Sequence, residues 1–126
     1  MFRMPSLKPA PHHDLRQHPR VRPLPSRPVE VQIMGSTFLE VLTVEDISIG
    51  GVGVRVPHGF RLGDFDQTVQ LIIALPACRP FKAEAVIRHK LGAKDSSKFG
   101  VEFVRLGDPA AVQAYVECML ALGRRA

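Results

Sequence analysis

With 126 residues, 45% of them hydrophobic, the chain is long enough to bury one core and too short for two ordinary domains joined by a linker. One Tyr and no Trp leave few aromatic platforms for stacking successive bases. The formal charge of +5 is also unevenly placed: Arg3, Lys8, Arg16, Arg20, Arg22 and Arg27 face only Asp14 and Glu30 in residues 1–30, whereas residues 31–126 are close to neutral and lack the broad field that steers a polyanion.

Residues 1–28 hold seven of the eleven prolines and little apolar periodicity, which predicts an extended arm, flexible over residues 1–13. After Pro28 the pattern changes. Val29, Val31 and Ile33 alternate with Glu30 and Gln32, the period of a half-buried strand, and Gly35-Ser36 supplies a turn. A second strand is predicted through Phe38, Val41 and Val44 to Asp46. A third, residues 51–56, follows the small-residue turn at residues 48–51 and ends at Pro57-His58-Gly59. Residues 69–75 form the most apolar run and read as a core strand, with Pro76 and Pro80 in the connection to a fifth strand over residues 81–89.

Residues 91–97 read as a polar hairpin tip, and residues 99–104 alternate as a sixth strand. Asp108 followed by Pro109 is an N-cap with proline at the first helical position. Val112, Tyr115, Met119 and Leu122 then recur at helical spacing before Gly123, and Arg124 and Arg125 are expected to complement the helix dipole, giving one helix of roughly 14 residues. Six short strands with turns at regular intervals predict an all-β-dominated barrel or sandwich closed by a C-terminal helix.

Cys78 and Cys118 fall in a strand-like and a helix-like stretch without metal or redox spacing, and are expected to be buried thiols. His12, His13 and His18 sit in a proline-rich arm that offers no supporting shell for a metal, so they are expected to be solvated. No nucleophile, base and orienting group occur in a recognisable order, and no glycine-rich phosphate loop precedes a helix, which points away from an enzyme. There is neither an apolar leader nor a run near the ~18 apolar residues of a membrane span. The expectation is a soluble cytoplasmic protein with no metal, cofactor or membrane insertion.

Two short patterns remain: Arg16-Gln-His-Pro-Arg20 in the arm, and Asp46-Ile-Ser-Ile-Gly-Gly51 between the second and third strands. Alone, each has an ordinary reading, a solvated basic arm and a turn in which Asp and Ser cap their own backbone. Their order, spacing and position before a Gly/Val-rich strand together resemble the paired signature of the PilZ family. The later Phe-Gly-Val-Glu-Phe strand and short final helix are also similar to that family, so the resemblance covers about residues 14–122.

The resemblance implies a six-stranded antiparallel PilZ-like β-barrel over residues 14–123, with a C-terminal α-helix, an extended N-terminal arm and a short tail at 124–126. It also implies a ligand, cyclic di-GMP, held by Arg16, Arg20, Asp46, Ser48, Gly51 and, with weaker support, Arg55. The chemistry is coherent: a guanidinium pairs bidentately with a phosphate or with the O6/N7 edge of guanine. A carboxylate accepts from guanine N–H groups, a hydroxyl donates to phosphate or O6, and glycine admits close backbone approach. Two departures from the family pattern stand out. Leu15 occupies the place of a frequent second Arg, and Arg88 stands where relatives often carry Trp, so it could stack on a base.

The functional expectation is a cyclic di-GMP sensor and adaptor, monomer or weak dimer, whose arm rearranges and signals to an unknown downstream protein partner in motility, biofilm or secretion control. The alternative is a PilZ-fold interaction module that binds no nucleotide, for example in type IV pilus assembly. A nonspecific nucleic-acid binder is disfavoured by the neutral body and few aromatics, so no nucleic-acid polymer is expected as partner.

Overall fold

The computed structural model describes residues 8–9, 18–34, 39–57, 67–92 and 96–126. Its elements are β1 (Lys8–Pro9), β2 (Glu30–Met34), β3 (Leu39–Ser48), β4 (Gly51–Pro57), β5 (Thr68–Ala74), β6 (Phe81–Gly92), β7 (Ser96–Leu106) and α1 (Pro109–Ala121). The predicted turn at Gly35-Ser36, the start of the second strand at Phe38, the stop at His58-Gly59 and the middle of the hairpin tip at 93–95 lie outside the described residues, as do His12 and His13.

Strands β2 to β7 form one antiparallel ring in the order β7-β4-β3-β2-β5-β6, and β6 pairs back onto β7 to close it. Each strand sends alternate residues inward. Val31 and Ile33, Val52, Val54 and Val56, and Val69, Leu71 and Ile73 are all essentially inaccessible to solvent, which is the period-two pattern converted into a filled barrel interior. Closure removes the exposed sheet edges that an open six-stranded sheet would present. The short β1 adds to the outside of β7, pairing Lys8 with Leu106 and Pro9 with Arg105.

The helix joins the barrel core through Val112, Val116 and Met119, spaced four and three residues apart. Asp108 caps it as predicted, its Oδ1 accepting from the Ala111 N–H at 3.0 Å, with Pro109 at the first turn. The far end closes on Gly123, whose φ of +75° suits glycine. The Gly123 N–H donates to Leu120 O at 3.0 Å and the Arg124 N–H to Met119 O at 2.9 Å, a Schellman arrangement. Leu122, expected on the apolar face, instead occupies the C-cap and is 57% exposed, while Val116 takes the buried position.

Three further expectations are corrected. Both Cys78 and Cys118 are exposed: Cys78 belongs to the turn after β5, its N–H bonded to Leu75 O at 3.2 Å, and Cys118 lies on the solvent side of α1. The Arg124 guanidinium does not serve the helix end. Its Nε donates to Arg22 O at 3.2 Å and its Nη2 to Pro23 O at 2.9 Å. Nor is the whole arm solvated, because Val21 is completely buried and makes a reciprocal backbone pair with Ile47 of β3, at 2.9 and 3.0 Å. On its other side the arm is bonded to the tail, Arg22 N–H to Arg124 O and Ala126 N–H to Arg20 O, both at 2.8 Å. Extended backbone with alternating outward groups can bond on two sides at once, and Val21 fills the core end of that ribbon.

Candidate functional site

The outer wall of the barrel where β3, β4 and β7 run side by side carries the charged residues. Register across these strands sets Asp46 opposite Gly53 and Ser48 opposite Gly51, with Gly53 opposite Gly100 and Arg55 opposite Lys98. A bulge between Val44 and Asp46 makes Glu45 the extra residue in β3. Two successive acids, Glu45 and Asp46, are thereby turned to the same outer face, which regular alternation forbids.

Five ionic side chains from the arm and three strands meet there. Arg20 donates from Nε to Asp46 Oδ1 at 3.0 Å and from Nη2 to the same oxygen. Lys98 Nζ donates to Asp46 Oδ2 at 2.6 Å and stands 3.6 Å from Glu45 Oε1. Arg55 holds Glu45 through Nε at 3.0 Å and Nη2 at 3.3 Å. The Asp46 side chain is only 7% exposed, while Arg20 and Lys98 are 30% and 28% exposed, so the acid lies beneath two half-covered cations. Burial alone would push the Asp46 carboxyl up. The hydrogen bonds and positive charges of Lys98 and Arg20 outweigh burial and hold it below its ordinary value.

The glycines make room for this cluster. A Cβ at Gly53 would lie 2.8 and 3.0 Å from the two Asp46 oxygens and 2.9 Å from Lys98 Cε. A Cβ at Gly51 would run into the carbonyl oxygen of Val101 on the neighbouring strand. Ser48 is fully buried, and its Oγ accepts from the Gly50 N–H at 3.1 Å, which fixes the turn into β4.

Of the residues singled out in the sequence, Arg20 and Asp46 are in direct contact, and Ser48 and Gly51 form the turn that follows Asp46. Arg55 reaches the cluster through Glu45 and is 43% exposed. Arg16 lies outside the described residues. Arg88 is ion-paired with Glu102 at 3.1 Å, further along the same face. Lys98, Glu45 and Gly53 were not singled out. The signal for Lys98 was a lone cation just before an alternating strand, and only the pairing of β7 with β4 shows what it faces. Among the described residues no group of three or more His, Cys, Asp and Glu is placed to hold a metal ion, and no helix is long and apolar enough to cross a membrane.

The PilZ domain model matches residues 14–120, and the chain belongs to that family, whose members act as binding and adaptor modules. No curated protein matches it. Among solved structures it is similar to the Bacillus subtilis inhibitor of motility MotI/DgrA, with 26% identity over 87% of this chain and a TM-score of 0.74. It also resembles MrkH, described as a c-di-GMP-dependent transcription regulatory factor, with 12% identity over 84% of the chain and a TM-score of 0.72. The K. pneumonia MrkH–c-di-GMP complex matches with 13% identity over 86% and a TM-score of 0.71. The chain spans about half the length of these proteins, 53%, 51% and 53% respectively.

Proposed function

We propose that this chain is a cyclic di-GMP-binding adaptor that takes up the nucleotide on the β3–β4–β7 wall beneath its arm. The observation that carries the reading is the Asp46 carboxylate, ionised on the outer wall and gripped by Arg20 of the arm motif. Arg20, the last residue of the Arg-x-x-x-Arg motif, and Asp46, the first of Asp-x-Ser-x-x-Gly, thus meet although they lie 26 residues apart. Such a pair has the donors and acceptors that a guanine edge and a phosphate require. The PilZ family membership and the likeness to MrkH, solved with c-di-GMP, support the ligand class.

In this reading the module performs no chemistry. Ligand binding draws Arg16 and Arg20 onto phosphate and guanine, and the altered arm and wall are read by a protein partner in the cytoplasm. Calorimetric titration with cyclic di-GMP tests it, with GMP and cyclic di-AMP as controls. Selective binding is expected, weakened about ten- to hundredfold by Arg16→Ala or Arg20→Ala, since a lost bidentate contact to guanine costs about 1–3 kcal/mol. If the wild type shows no binding, or both variants bind like it, the sensor reading fails and the nucleotide-independent interaction module takes its place.

A further inference from the structure

Among the described residues, Glu45 and Asp46 are met by Arg20, Arg55 and Lys98. Which barrel cation can also meet a phosphate of the nucleotide is decided by how each is held. Arg55 spends its planar fork on Glu45, with two nitrogens within 3.3 Å of that carboxylate. Lys98 uses one N–H on Asp46 at 2.6 Å, and Glu45 at 3.6 Å is beyond a good hydrogen bond. An ammonium carries three N–H groups on a flexible stem, so it can keep one acceptor and take another.

Resting on the cyclic di-GMP reading above, we propose that Lys98 is a further binding residue of this site: one N–H holds Asp46 in place while another donates to a phosphate oxygen of the nucleotide, with Arg55 remaining on Glu45. Lys98 also stands on the opposite side of Asp46 from Arg20, each cation holding a different carboxylate oxygen. An anion lying over Asp46 is thereby flanked by a cation from the arm and a cation from the barrel. The absence of a side chain at Gly53 is what lets the Lys98 stem lie against Asp46.

Cyclic di-GMP titrations of the wild type, Lys98→Met and Lys82→Met test the assignment, with thermal unfolding to verify folding of each. Lys98→Met should bind about tenfold more weakly at low salt, with the gap to wild type narrowing as salt screens the lost charge, and Lys82→Met, which removes an exposed charge on β6 outside the cluster, should stay within about threefold. Equal or tighter binding by Lys98→Met overturns the assignment, as does an equal loss in Lys82→Met. In parallel, the NMR signal of the Lys98 ε-methylene in the wild type is followed during separate additions of cyclic di-GMP and inorganic phosphate. Movement with phosphate but no cyclic di-GMP binding keeps Lys98 as an anion contact and sinks the nucleotide reading. A Lys98 signal unmoved by either overturns the assignment, even if Lys98→Met fails to fold.

Discussion

Replacing Asp46 by Asn keeps the shape of the side chain but removes the charge on which Arg20 and Lys98 converge. Near neutral pH this should lower the unfolding free energy by about 1–2 kcal/mol, the low end for a charged hydrogen bond, because both cations can turn to water. The folded carboxyl titrates below its ordinary value of 3.8. Its contribution is therefore complete above that value and disappears as pH falls through the depressed folded value. Urea unfolding across this acid range should show wild type and Asp46→Asn converging as pH drops; a constant difference would mean that the charge is not the stabilising element. Gly53→Ala probes the same spot from below. Its methyl must displace the Asp46 carboxylate or the Lys98 stem, so nucleotide affinity should fall about tenfold or more while the fold survives, as read by titration and circular dichroism. The Arg16/Arg20 and Asp46/Ser48/Gly51 motifs were legible because residue type and spacing carry them. Lys98 and Glu45 were not, since their role depends on a cross-strand register and on a bulge that spacing does not encode.

The elements themselves were largely readable. β2 and β5 alternate cleanly because one face of each meets the core and the other meets water, whereas the outer glycines of β4, Gly51 and Gly53, are covered, and α1 announces itself by Asp108-Pro109 and Gly123. The helix's buried face was less legible. Tyr115 and Leu122 fit a helical period as well as Val116 does, and only the turn at Gly123 removes Leu122 from the set. Truncating the face makes its weight measurable: Met119→Ala should cost about 2–4 kcal/mol of unfolding free energy, as for buried side chains of its size. Asp108→Ala should cost about 1 kcal/mol through loss of the cap to the Ala111 N–H, and chemical denaturation resolves the two. A loss at Met119 no larger than at Asp108 would mean that the helix contributes little to the barrel core.

At the scale of the whole molecule, strand count pointed to a barrel or sandwich and the family resemblance to a barrel, but neither to its order. β2 sits between β3, its hairpin neighbour, and β5, which follows much later in the chain, and β4 pairs with β7 across two intervening strands. The burial of Val21 was equally invisible, since a single valine among prolines carries no period. What holds Val21 is a ribbon in which β3 lies on one side of the arm and residues 124–126 on the other. Its main-chain bonds cannot be given up singly, because shifting residues 20–22 away from β3 also strips the partners from Arg124 and Ala126. The ribbon therefore works as a timer: the Val21, Arg22, Ile47 and Ala126 amides should exchange with deuterium at one common rate, and a ligand that touches Arg20 should reset the clock at Ala126, a residue it never meets.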